Sequence, residues 1–258
     1  MPLTIKQIQS IEETLRVGLR NKFEKYNPEP AVMPFHTRLL GKDRLALYSF
    51  IHSLNTSFGT SIFEPVALAL GKTRFDNANN QATAGKFISK KAEEVIQDIM
   101  NNLIAGRSKP NKEEEIERIR IVCQEGEMIE IKPTKVDVYL SDNDNSFYLF
   151  DIKTAKPNMG GFKEFKRTLL EWVAVTLSEN PTANINTLIA IPYNPYEPKS
   201  YSRWTMAGML DLEKELKVAE EFWDFIGGEG AYNDLLDCFE RVGIELRGEI
   251  DEYFSRFK

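Results

Sequence analysis

The sequence predicts a mixed α/β (α+β) fold, with a central mixed sheet flanked by helices and extra helices at the N- and C-termini. Two patterns predict it. Apolar residues recur at helical spacing near both ends of the chain and on either side of its middle, while residues 135–154 alternate with the period of two that marks a half-buried strand. The order is helix, antiparallel strands, helix, strand, which suits a sheet packed between helical layers.

Ile5, Ile8, Ile11, Leu15 and Leu19 place a helix over residues 3–25, ended by Asn27-Pro28-Glu29-Pro30. Leu45, Tyr48, Ile51 and His52 mark a second helix over 42–56, and the Gly/Ser/Asn-rich stretch after it, including residues 75–80, reads as a loop. A long helix is predicted over 83–104, with Ile88, Ala92, Val95, Ile99 and Leu103 as its buried stripe and Gly106 and Pro110 closing it. Residues 119–122 and 128–131 are strand-like. In 135–140, Val136, Val138 and Leu140 face one way and Asp137 and Tyr139 the other; 141–146 is turn chemistry, 147–154 is the next strand, and the spacing favours antiparallel hairpins. Gly160-Gly161 leads into a helix over 162–177, followed by a short buried strand over 187–191 and a three-proline loop over 192–199. From about residue 210 the chain reads as mainly helical, interrupted by a helix–helix turn at Gly227-Gly228-Glu229-Gly230, which lacks the lysine of a phosphate-binding loop. Together these give one domain over 1–258: a helical part over 1–80, a core over about 83–192, and a mainly helical part over 193–258.

Composition narrows the function classes. No apolar run approaches the roughly 18 residues that cross a membrane, and the N-terminus lacks a signal-peptide pattern. Cys123 and Cys238 stand far apart without metal-ligand spacing, which points to small buried side chains and a cytoplasmic protein. The two histidines, His36 and His52, are too few for most zinc chemistry, and His52 beside Ile51 and Leu54 reads as a core residue. A net charge of −6 argues against a bulk nucleic-acid coat, yet it suits a cleft that gathers a divalent cation.

The chemistry concentrates in Asp137, Asp151 and Lys153. Side chains two apart on a strand share a face, so Phe147, Leu149, Asp151 and Lys153 project together, passing from apolar to charged as the strand leaves the core. A hairpin folded about Asp144 sets Asp137 opposite Asp151, bringing two carboxylates and an ammonium to one sheet end. Phosphodiester hydrolysis needs such a group. Two carboxylates hold hard Mg²⁺ through oxygen and leave room for water and a phosphate oxygen, and the metal polarises the phosphorus centre. The lysine orients or helps deprotonate the water and offsets transition-state charge. An acid two before a lysine occurs five times: Glu130/Lys132, Asp151/Lys153, Glu164/Lys166, Glu197/Lys199 and Glu215/Lys217. Strand context and an upstream strand aspartate single out Asp151/Lys153. The alternative is a surface hairpin with a solvated acid–base pair.

Val136-Asp137, a gap, and Asp151-Ile152-Lys153 resemble the motif of the PD-(D/E)XK nuclease superfamily, with Val136 where that family usually has proline and Pro133 upstream. The predicted element order resembles its restriction-endonuclease-like core. More closely, the chain is similar to type II restriction endonucleases of the TdeIII kind over residues 33–41, 53–65, 192–196 and 221–228. The resemblance implies sequence-specific, Mg²⁺-dependent cleavage of double-stranded DNA at a short palindromic, GGNCC-like site. It also implies 5′-phosphate products, a homodimer, a cognate DNA methyltransferase as genetic partner and a prokaryotic cytoplasm. Asp137 and Asp151 would hold the metal with the Ile152 carbonyl, and Lys153 would assist the water. Related nucleases place a metal-assisting glutamate on the helix before the sheet, which points to Glu93 rather than Glu94. Two readings stay open beside this one: a structure-selective repair or recombination nuclease, and a non-catalytic DNA-binding protein that keeps the fold.

For DNA contact, Lys156, Asn158, Lys163, Lys166 and Arg167 follow the motif at a Gly-rich turn entering a helix, a placement that suits phosphate or an ordinary charged helix surface. Asn194, Lys199 and Arg203, interleaved with Tyr193, Tyr196, Tyr201 and Trp204 in a proline-stiffened loop, suit base or backbone reading or a packed structural loop. Arg38 and Lys42 are further candidates.

Overall fold

The computed structural model describes residues 3–26, 33–157, 161–202 and 208–255. Between residues 90 and 191 its elements follow the predicted order of helix, antiparallel strands, helix and strand, with helices before and after. Helix α1 (Ile5–Lys25) opens with a capping box in which the Thr4 side chain accepts from the Gln7 N–H and the Gln7 side chain accepts from the Thr4 N–H. Helices α2 (Pro34–Leu40) and α3 (Lys42–Phe58) follow, and a π-helical turn over Gly59–Phe63 runs into α4 (Glu64–Gly71). Then come β1 (Asn77–Thr83), β2 (Phe87–Ser89), α5 (Lys90–Ile104), α6 (Lys112–Val122), β3 (Met128–Glu130), β4 (Lys135–Ser141) and β5 (Ser146–Ile152). Helix α7 (Phe162–Glu179) crosses to β6 (Asn184–Ile191), and β7 (Leu216–Val218), α8 (Glu220–Gly227), α9 (Ala231–Glu245) and α10 (Arg247–Ser255) complete the chain.

The main sheet has the order β1-β4-β5-β6-β7. The pairs β1–β4 and β4–β5 are antiparallel, while β5–β6 and β6–β7 are parallel, so the sheet is mixed. Strand β5 lies in the middle and is buried on both faces. Leu149 packs into a core with α5, α6 and α7, while Phe150 and Ile152 pack into a second core with α1, α4, α8 and α9. The result is a three-layer sandwich with a helical layer on each side. Gly71 lets α4 close onto β4, because a Cβ there would stand 2.7 Å from Leu140 Cδ2.

Several local expectations are corrected. Residues 119–122 belong to α6, whose start is fixed by the Asn111 side chain accepting from the Glu114 N–H; Ile119 is buried but Ile121 is 66% exposed, which suits one helical face better than a strand. Residues 77–80, expected in a loop, begin β1, an Asn-rich edge strand held by its ladder to β4 rather than by strand propensity. The helix expected from residue 83 starts at Lys90, where Ser89 accepts from the Ala92 N–H, and Ile88 is buried in β2 instead. Val136 packs into the α5–α7 core, on the side opposite Val138 and Leu140. His52 is exposed and stacks near Tyr48 rather than entering a core. Cys123 and Cys238 are buried free thiols, as expected. No helix among the described residues is long and apolar enough to cross a membrane.

Candidate active site

The β4–β5 ladder is centred on Asp144 and runs from Ser141↔Phe147 to Val138↔Phe150. Asp137 and Asp151 are the next residues in register, but their backbones do not join the ladder. The Asp137 side chain turns to β5 instead, and Oδ2 accepts the Ile152 N–H at 2.8 Å. The ladder on the other side of β4 breaks at the same residue. Asn80↔Val138 and Ala82↔Val136 are paired, while Gln81, with φ 51°, is not. Strand β4 thus loosens from both neighbours at Asp137, and a polar pole opens at the sheet end.

Asp151 reaches this pole from the last turn of the pleat in β5 and is 8% exposed. Lys153 Nζ stands 2.7 Å from Asp151 Oδ1 and 4.5 Å from the centre of the Phe165 ring. The Lys153 N–H donates to the Ala190 carbonyl at 2.9 Å, which fixes the chain as it leaves the sheet. Helix α4 adds a third acid, Glu64, only 2% exposed. Gln81 Nε2 donates to Glu64 Oε2 at 2.8 Å and to Asp137 Oδ1 at 3.3 Å. Burial pushes the Asp137 carboxyl up to about 7, helped by the charges of Asp151 and Glu64 and opposed by the Ile152 N–H and Lys153. Burial also raises Glu64, against the Gln81 hydrogen bond and the charge of Lys135, with Asp151 adding to the rise.

Among the described residues, no three His, Cys, Asp or Glu side chains form a ready-made metal cage. Mg²⁺ does not require one, since it commonly binds through one or two carboxylates and keeps several waters. Asp137 and Asp151, hard oxygen donors whose charges repel each other, with Lys153 paired to Asp151 and Glu64 close by, fit such an ion.

A family model described as "Type II restriction endonuclease, HinfI" matches residues 3–243. The chain belongs to the HinfI type II restriction endonuclease family. The curated relatives agree. MjaII, a type II restriction enzyme of Methanocaldococcus jannaschii, is 29% identical, over 94% of this chain and 72% of its own. HgiCII and HgiEI, type II restriction enzymes of Herpetosiphon aurantiacus, are each 26% identical, over 84% and 85% of this chain and 80% of their own.

In this HinfI-family chain the other predicted site residues fare differently. Glu93 lies exposed in the first turn of α5, where its charge acts on Glu171 of α7. The structure does not bring it to Asp137; the acid that joins the two aspartates is Glu64, which sequence reasoning missed. A signal existed, because Glu64 is a lone acid in the apolar run Ile62-Phe63-Glu64-Pro65-Val66-Ala67-Leu68. Lys156 and Lys163 are exposed, with Lys156 over the Tyr196 ring. Arg167 is half-buried and bonded to Gln97, with Glu171 at 3.7 Å. Lys166 is no phosphate ligand. It is fully buried, 2.5 Å from Glu115 and 2.7 Å from Glu215. Asn194 braces its own loop, donating to the Lys199 carbonyl and accepting the Tyr196 N–H, while the Lys199 side chain is exposed. The loop leans on the exit of the motif, where the Tyr201 hydroxyl donates to the Ala155 carbonyl at 3.2 Å. Arg38 and Lys42 are exposed on α2 and α3. Asn158, Arg203 and Trp204 lie outside the described residues.

Of the rival acid–lysine pairs, Glu130 sits exposed against Lys86, Glu197 and Lys199 are exposed, and Lys217 lies over Phe225. Glu215 is buried, but with Lys112 and Lys166.

Proposed function

We propose that this restriction enzyme cuts both strands of DNA in a Mg²⁺-dependent reaction at the pole where Asp137, Asp151 and Lys153 meet. One observation carries the reading. Strand β4 gives up its backbone pairing on both sides at Asp137, and three buried or half-buried acids gather there, with Lys153 beside Asp151 and Asp137 and the charge of Lys135 reaching Glu64. A site with surplus negative charge at a sheet end is prepared for a cation.

Asp137 and Asp151 would hold the ion together with the Ile152 carbonyl. Bound there, Mg²⁺ would polarise the scissile phosphate and acidify a water. The Ile152 N–H keeps the Asp137 carboxylate oriented, so it would present a fixed lone pair. Lys153 starts in an ion pair with Asp151; it would hold or move the proton of the attacking water at Nζ and offset charge that grows on the phosphate oxygens. Lys156 and Lys163, exposed beside this pole, would meet phosphates, and the loop with Tyr193, Asn194 and Lys199 would face the bases.

The finer proposals are a palindromic GGNCC-like site, 5′-phosphate ends, a homodimer that matches the symmetry of such a site, a cognate methyltransferase and a prokaryotic cytoplasmic setting. Digestion of a sequenced plasmid and a phage genome with Mg²⁺ or Mn²⁺ tests the reading. Discrete fragments whose ends map to one short sequence support it. Cutting only at junctions or flaps would favour a structure-selective nuclease, and no nicking with either ion rules out catalysis.

A further inference from the structure

Gln81 stands at the centre of the candidate site without belonging to its motif. It is the residue opposite Asp137 in the β1–β4 register, yet it is left out of the ladder with φ 51°. This left-handed conformation favours glycine or asparagine over a longer side chain. The side chain that sits there uses both hydrogens of its amide, one on Glu64 Oε2 at 2.8 Å and one on Asp137 Oδ1 at 3.3 Å. It therefore joins α4 to β4, two elements that approach from different layers of the fold.

The chemistry of an amide is well matched to that place. A lysine would neutralise the carboxylates and compete with a bound cation. A glutamate would add repulsion, and a hydroxyl has only one hydrogen to give. Asparagine suits the backbone better but is one methylene shorter. With Oδ2 taken by the Ile152 N–H and Oδ1 by Gln81, both oxygens of Asp137 are aimed, and each keeps a lone pair.

From this geometry, and resting on the metal-dependent nuclease reading above, we propose that Gln81 is a positioning residue of the cleavage site: it holds Glu64 and Asp137 in cation-binding geometry without spending any of their charge. Supporting groups of this kind change metal affinity or activity by about 10–100-fold when removed.

The test uses the full chain with two substitutions. Q81M keeps the volume and removes the donor, and Q81G removes the side chain while suiting the backbone. Mn²⁺ binding to the protein alone is followed by electron paramagnetic resonance, and cleavage of a supercoiled plasmid is followed under single turnover. Both variants are expected to fold, with Q81G melting no lower than wild type. Their Mn²⁺ half-saturation should rise and their cleavage rate fall about 10–100-fold, at an unchanged protein concentration for half-maximal plasmid cleavage. Wild-type Mn²⁺ binding in both variants overturns the proposal, whatever the cutting rate. Failure of Q81G to fold also overturns it, since Gln81 would then be a structural tie. If the wild-type protein neither binds Mn²⁺ nor nicks plasmid, the nuclease reading fails and takes this role with it. If wild type does both and the variants match it, only the role of Gln81 fails.

Discussion

The chain holds two clusters of acids and lysines, and they differ in balance. At the sheet end, Glu64, Asp137 and Asp151 gather near Lys153, and Lys153 is about a quarter exposed. Beneath α6 and α7, Lys112 and Lys166 meet Glu115 and Glu215 with every side chain buried. There Lys112 also donates to Thr187, and the Asp211 N–H donates to Glu215, so the cluster ties the approach to β7 to two helices. Burial pushes Glu215 up, but Lys112 and Lys166 pull it further down, and it ends below the usual carboxylate range. Asp137 ends far above it. Proximity of an acid to a lysine therefore does not mark chemistry in this fold. A closed, neutral cluster fastens elements together, and an open cluster with excess negative charge has capacity left for a cation.

The largest effect should come from breaking the closed cluster. K166M leaves Glu115 and Glu215 with one buried lysine between them and should destabilise the fold by roughly 3–5 kcal/mol, measured by urea unfolding. K166M/E115L restores neutrality and should recover part of that loss; equal stability of the single and double variants would contradict the balance argument. At the open cluster the outcome should reverse. D151N should lower Mg²⁺-dependent cutting at least ~10²–10³-fold, with unfolding free energy within ~1 kcal/mol of wild type. A cutting rate near wild type would remove Asp151 from the site.

The smallest of the three effects is a pH dependence. Asp137 rises from 3.8 to about 7 on folding, so between these values the metal-free native state binds the proton that the unfolded chain releases. Stability from this group is full below about pH 4 and is lost progressively as pH rises to about 7; the part of that loss above pH 5 is on the order of 2–3 kcal/mol. D137N should flatten that part of the profile in chelator, as read by melting temperature from pH 5 to 8. A D137N profile parallel to wild type would show that Asp137 titrates normally.

Much of the sheet was legible because β5 and the hairpin end of β4, from Val138 to Ser141, obey simple rules. The turn residues fix the hairpin centre at Asp144, and alternation carries the register to Asp137 and Asp151. Glu64 and Gln81 were hidden for different reasons. Glu64 arrives from a helix 73 residues before Asp137, a distance that no local pattern spans. Gln81 lies in a strand whose Asn-rich sequence resembles a loop, and only the partner strand reveals it. Lys166 was misplaced although its position carried a clue: Phe162, Leu169, Leu170 and Val173 surround it on the helical stripe, so a charge there had to point inward. The fate of Arg167 and Asn194 depended on neighbours such as Gln97 and Lys199, which spacing alone does not supply.

The double burial of β5 sets how the gene for this protein can change in length. Its side chains supply one core on odd positions and the other on even positions between Leu149 and Ile152. One codon inserted between Phe147 and Asp151 would exchange the two sets, empty both cores and turn the carboxylate away from Asp137 in a single event. The same codon inserted at Asn143 would only lengthen an exposed turn. Length variation should therefore be tolerated at the tip of this hairpin and should abolish folding and activity a few residues further on.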